Sequence, residues 1–185
     1  MADAAGPLLA EIEHRFRFYR TLAENAVEQV DDEAFFATLG PPAAHAEGEN
    51  AIAVLVKHLA GNFRSRWTDF LTADGEKPDR HRDTEFELDE VDTREALMVR
   101  WAEGWQLLDE AFRSLPPDAA SRTVTIRGEP HTVTDALLRA LGHAAYHVGQ
   151  IVVLAKHHAG ADWQSLSIPR GQSEPFAAAH RRRFA

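Results

Sequence analysis

The segment "HAAYHVGQIVVLAK", residues 143 to 156, sets two histidines four positions apart in a run of otherwise small and apolar residues. Four residues is just over one helical turn, so on a helix His143 and His147 leave the same face about 6 Å apart along the axis, near enough to share a metal ion. A third histidine, His58, lies mid-segment in the equally apolar "AVLVKHLAGN". As separate core histidines, each of the three would need its own buried hydrogen-bond partner among neighbours that are mostly Ala, Val and Leu. One shared ion satisfies them together. The chain has no cysteine, so thiolate ligands, disulfides and a thiol nucleophile are all excluded, and any metal must rest on nitrogen and oxygen. Three neutral imidazoles suit one divalent transition metal (nickel, zinc or iron) and leave at least one coordination position open, as catalytic sites do. The zinc-protease motif HExxH is not met, because Ala144 stands where that motif needs its glutamate.

These histidines need helices to position them, and the apolar periodicity predicts four long ones. Leu8, Leu9, Ile12, Phe16, Tyr19, Leu22 and Ala26 recur at three- and four-residue steps and define a helix over residues 7 to 30. A short helical piece, "DDEAFFATLG", follows and stops at Pro41 and Pro42; "GEN" then opens a second long helix over 49 to 72 that carries His58. Gly61 within it points to close packing at that turn. The third long helix starts at "DTRE", with Asp92 as N-cap and Glu95 completing a capping box; its stripe is Leu97, Trp101, Leu108 and Phe112, and Pro116 and Pro117 end it. Residues 122 to 127 alternate and read as extended, but a lone segment makes no sheet. The fourth long helix runs from Thr134 to His158, with Gly160 as its stop. The expected architecture is an all-α four-helix bundle in a single domain, 1–185, with 159–185 an irregular C-terminal extension.

Two inward stripes then face each other. On the second helix His58 is followed by Asn62, Ser65 and Asp69; on the fourth, Ala136 and Ala140 precede His143, and Gln150 and Leu154 follow. Bundle helices pack about 8–10 Å apart, a gap that three imidazoles can close around one ion. Asn62 and Gln150 read equally as supports or substrate contacts beside the histidines and as interhelical hydrogen-bonding amides. Tyr146 reads as an interhelical packing residue, and no general base stands out. The connection "ADGEKPDRHRDTEFELDEV" between the second and third helices is long and charged, the kind of loop that is either functional or mobile. Around it Arg64, Arg66, Arg80 and Arg82 could bind an anionic substrate, but Asp69, Asp74, Glu76, Asp79, Asp83 and Glu85 are at hand to neutralise them. Arg66, nearest the polar stripe, is the expected exception.

The formal net charge of -9 argues against a nucleic-acid-binding surface. The basic run "HRRRF" at 180 to 184 reads as a solvated tail. No apolar run is long enough to span a bilayer and no secretory pattern opens the chain, so a cytoplasmic protein without membrane contact is expected.

The strings "HLAGNFRSRWTDFLTADGEKPDRHRDTEF", "HAAYHVGQIVVLAK" and "WQSLSIPRGQS" make the chain similar to an uncharacterised subgroup of the DinB/YfiT-like metalloenzyme superfamily, over nearly its whole length. The resemblance implies an antiparallel four-helix bundle of unusual connectivity, often a homodimer, with a divalent metal on three side chains. Carried over residue by residue, these are His58, His143 and His147. Relatives include transferases and an isomerase that depend on bacillithiol, mycothiol or glutathione. The resulting expectation is a divalent-metal-dependent enzyme acting on a small molecule, foremost a thiol-dependent transferase with a low-molecular-weight thiol as co-substrate. Hydrolysis at a metal-bound hydroxide is the second chemistry, and the alternative is a non-catalytic metal-binding bundle acting through a protein partner.

Overall fold

The computed structural model describes residues 5–40 and 50–183. In chain order the elements are α1 (Ala5–Val27), α2 (Asp32–Phe36), α3 (Ile52–Trp67), α4 (Arg94–Arg113), β1 (Thr123–Ile126), β2 (Glu129–Thr132), α5 (Val133–Ala159) and α6 (Ser173–Arg183). The chain is thus mostly helical with one small sheet. Of the long helices, α3 packs on α4, α1 packs on α5, and α3 also meets α5.

The periodicity of α1 puts Leu9, Ile12, Phe16, Ala23 and Ala26 in the core, while Leu8 faces solvent. Phe16 organises one end of that core: its ring meets those of Phe63, Trp67, Trp105 and Phe112 edge-on, with centroids 6.0 to 6.3 Å apart, the arrangement that ring quadrupoles favour. Helix α4 can come close to α3 because Gly104 has no side chain; a Cβ there would stand 3.2 Å from Phe63 Cβ and 3.4 Å from the Ala60 carbonyl oxygen.

Several boundaries differ from expectation for identifiable reasons. Helix α3 ends at Trp67 rather than residue 72, because Thr68 is extended and Asp69 is left-handed at φ 50°, so Asp69 leaves the histidine stripe. Pro41, Pro42 and most of "GEN" lie outside the described residues. Helix α4 is capped by Thr93, not Asp92: the Thr93 hydroxyl accepts from the Ala96 N–H at 3.2 Å, which puts Glu95 one position too early for a capping box. Asp92 is instead buried, taking Lys57 Nζ at 2.6 Å and Arg100 Nη1 at 2.8 Å. Segment 159–185, expected to be irregular, carries α6.

The extended segment does find a partner. β1 pairs antiparallel with β2, Thr123 opposite Thr132 and Ile126 opposite Glu129. The two-residue turn between them is Arg127 and Gly128, both left-handed at φ 55° and 76°, the backbone that a tight hairpin requires. Val124 and Ile126 are buried, so packing supports a hairpin that would be marginal alone. The charged connection reinforces it. Asp74 accepts from the N–H groups of Arg127 and Gly128, each at 2.8 Å, and Gly75 N–H donates to the Thr125 carbonyl at 2.8 Å. Lys77 and the Ser65 hydroxyl tie the same stretch to α3. Helix α5 follows the hairpin directly, its N-terminus capped by the Thr132 hydroxyl. Among the described residues no helix is long and apolar enough to cross a membrane.

Burial alone would raise the Asp92 carboxyl, but the hydrogen bonds from Lys57 and the Asp89 N–H, with the charge of Lys57 and the bond from Arg100, outweigh it and hold Asp92 below the usual carboxylate range. A depressed folded value means that this carboxylate contributes stability above its unfolded pKa of about 4 and loses it as pH falls through the folded value. Asp92→Asn is expected to cost about 2–3 kcal/mol at pH 7, less than for a wholly buried pair because Arg100 reaches solvent. Denaturant titrations at pH 7 and pH 3 should show the difference between wild type and variant shrinking at the lower pH.

Candidate metal centre

Helices α3 and α5 bring His58, His143 and His147 together, with ligand atoms all within 4.8 Å of one another; among the described residues this is the one such cluster of three metal-ligating side chains. His143 Nε2 lies 3.1 Å from the Nε2 atoms of both His58 and His147. The outer nitrogens explain why those three converge. His58 Nδ1 is 2.8 Å from Glu85 Oε2, and His147 Nδ1 is 2.7 Å from Gln150 Oε1. A carboxylate and an amide oxygen only accept, so each Nδ1 carries the proton and each Nε2 presents a bare lone pair inward. His143 can donate its own Nε2 proton to one of them at most. Lone pairs facing one another at this distance are relieved by a cation, so the donor set fits a divalent metal ion.

Burial first, and neighbouring charge second, keeps His143 and His147 neutral. Burial, then the proximity of His147, His58, Arg80 and Arg66, pushes His143 down to about 3. Burial likewise lowers His147, against the bond from Gln150. Metal binding needs unprotonated imidazole, and this environment supplies it.

Glu85, absent from the sequence-derived site, comes from a 3₁₀ turn at Arg82–Phe86 inside the charged connection. It is buried and held by Arg80 in a two-pronged bond, Nε to Oε1 and Nη2 to Oε2, both 2.8 Å; Arg80 also reaches Glu76 at 3.2 Å. Burial opposes the charge on Glu85, but the bonds from His58 and Arg80 prevail and keep its carboxyl below the usual range. Gly61 makes room for it: a Cβ there would collide with Glu85 Oε1. The close packing that this glycine signals is therefore with the connection. The Phe86 ring covers His58, with centroids 4.7 Å apart.

The triad opens into a cavity of about 480 Å³ whose lining includes Asn62, Arg66, Arg139, Tyr146 and Gln150, a volume suited to a small molecule. Asn62 and Arg66 continue the His58 face of α3, and Ala136 and Ala140 leave space opposite on α5. Tyr146, expected between helices, is exposed, its ring 4.8 Å from His147. Asp69 does not line the cavity. Of the connection's arginines, Arg64 pairs with Asp79 at 2.5 Å, Arg80 with Glu85, and Arg82 with Asp83 at 3.6 Å in solvent. Arg66 alone of the four forms no ion pair among the described residues, and its Nη1 is buried without a partner. Arg127 and Arg139 also line the cavity and were not foreseen; a helix-face projection of α5 from His143 back to Arg139 would have found the second.

A family model described as protein of unknown function (DUF1572) matches residues 3–172. No curated protein and no solved structure matches the chain.

Because Glu85 fixes the proton on His58 Nδ1, Glu85→Gln is expected to lower zinc affinity about 10–100-fold with the helical content kept, as read by competition against a chromophoric chelator. Gly61→Ala should act in the same direction by displacing the carboxylate. Unchanged affinity in both would show that the carboxylate does not tune the histidines.

Proposed function

Since the chain belongs to the DUF1572 family, whose matched span contains all three histidines, we propose that it is a divalent-metal-dependent enzyme acting on a small molecule, with transfer to or from a low-molecular-weight thiol as its chemistry. The observation that carries this reading is the convergence of three Nε2 atoms at the floor of an open cavity. A purely structural site would be closed by a fourth side chain. A divalent ion held by His58, His143 and His147 would supply Lewis-acid activation, lowering the pKa of a thiol or a water.

The chain's own residues give the rest. Glu85 and Gln150 orient His58 and His147 through their Nδ1 protons; Phe86 covers the His58 ring; Asn62 offers its amide to a substrate from the cavity wall. Among the described residues no carboxylate lines the cavity, so the ionisation of a bound group there rests on the ion and on that group's own acidity. A thiol is acidic enough to ionise near neutrality without a carboxylate base once it is activated. That favours thiol transfer over hydrolysis. The resemblance to DinB/YfiT-like metalloenzymes, with their antiparallel four-helix bundle, supports the same reading.

Elemental analysis of untagged protein purified without chelator should find about one divalent transition metal per chain. A cobalt-substituted form should change its visible spectrum on addition of azide or a small thiol. His58→Ala should abolish both metal and response while keeping much of the helicity, since apolar packing supplies most of it. No metal uptake, or a cobalt spectrum indifferent to every added ligand, would overturn the enzyme reading in favour of a non-catalytic bundle acting through a protein partner.

A further inference from the structure

Among the described residues the cavity beside the histidines is lined by five arginines, Arg66, Arg80, Arg82, Arg127 and Arg139, and by no aspartate or glutamate. Three of these have counter-charges: Arg80 in Glu85 and Glu76, Arg127 in Glu76 at 3.4 Å, and Arg82 in Asp83. Arg66 and Arg139 form no ion pair among the described residues. Arg66 is the more telling, because it is only 8% exposed and its Nη1 has no hydrogen-bond partner. Leaving part of a guanidinium dry and unpaired is costly unless something else meets it. Its seat is built: Gly75 of the connection lies against it so closely that a Cβ would stand 2.6 Å from Nη1 and 3.4 Å from Cζ. Burial, together with the nearby charges of Arg139, Arg80 and Arg127, lowers Arg66 to about 10 in spite of Glu76. Positive charge in excess of its carboxylate partners therefore collects at this end of the cavity, where Glu76 is shared among Arg66, Arg80 and Arg127.

Position along the helices gives a ruler. Arg66 follows His58 by eight residues on α3, about 12 Å along the axis, and Arg139 precedes His143 by four on α5, about 6 Å. Both arginines line the same cavity as the histidines. We propose that Arg66, with Arg139 beside it, is an oxyanion subsite that binds a carboxylate or phosphate group of the substrate while the substrate's reacting part lies at the histidines. The inference rests on the metalloenzyme reading only for what happens at the other end of the cavity; the anion subsite itself stands on the arginines.

Calorimetric titration of the zinc-loaded full chain with inorganic phosphate, with succinate and with uncharged succinamide tests it. Wild type, Arg66→Met, Arg66→Lys and Arg139→Ala are compared, with metal content measured throughout and circular dichroism as the folding control. Saturable binding of phosphate or succinate but not succinamide is expected, weakened at least tenfold in Arg66→Met and less in Arg139→Ala, and partly restored in Arg66→Lys, with zinc content unchanged. The tighter of the two anions identifies the group. The absence of saturable anion binding overturns the proposal. So does binding that is equal in wild type and Arg66→Met, since the metal would then be the sole anion site. Should Arg66→Met fail to fold, unchanged binding in both Arg139→Ala and Arg66→Lys overturns it instead. Protein that takes up no zinc yet binds phosphate in an Arg66-dependent way supports the subsite and removes the metalloenzyme reading alone.

Discussion

Three imidazole nitrogens are held with their lone pairs toward one another, and the rest of the molecule is arranged around that constraint. At most one hydrogen bond, from His143, draws the members of such a cluster together. Each ring has to be fixed from outside, which is why the outer nitrogens bond to Glu85 and Gln150. The two supports differ in origin. Gln150 sits one turn along the same helix as His147, whereas Glu85 comes from a segment between helices and must itself be held by Arg80, which in turn is held by Glu76. A chain of alternating charge thus runs from the connection into the heart of the protein and ends on the His58 ring. Each link satisfies a group that would otherwise be buried unpaired.

The helices divide this work between their faces, as on α3, where Asn62 and Arg66 line the cavity and their neighbours Phe63 and Trp67 turn to α1 and α4. On one side, Phe16, Phe63, Trp67, Trp105 and Phe112 interlock edge to face and supply dense apolar packing. Toward the facing stretch of α3 and α5, small residues such as Ala136 and Ala140 withdraw from the interface and leave the cavity. The aromatic cluster lets the helical frame tolerate a polar void beside it, because the frame does not depend on the void for burial.

Much of this was readable from the chain. The four long helices, the histidines on facing stripes and the exceptional standing of Arg66 all followed from periodicity and local charge, since these are properties of residues a turn or two apart. What escaped was decided by distant partners. Glu85 looked like one acid among six near the connection, and only the fold brings it to His58. Thr93 displaced Asp92 as cap because Lys57 and Arg100 claim the aspartate from elsewhere. The hairpin was half seen: "TVTI" alternates, but its partner "EPHT" shows no apolar alternation and contains Pro130, so pairing rests on the Arg127–Gly128 turn and on contact with α5. Asp69 failed for a local reason, a helix that ended before reaching it, and Tyr146 because it stands exposed at the side of α5 instead of packing between helices.

The carboxylate of Asp74 reaches across 53 positions of chain to seat the hairpin turn, and beside it Gly75 backs the Arg66 guanidinium. Connection and hairpin therefore form one continuous rim that is fastened to the helices yet contributes none of the three histidines. In mechanical terms the rim is a brace: it borders the mouth of the cavity and backs a guanidinium, while the helices below present the three nitrogens. The rim thus meets the coordination chemistry at two neighbouring residues, Glu85 on the His58 nitrogen and Phe86 on the His58 ring.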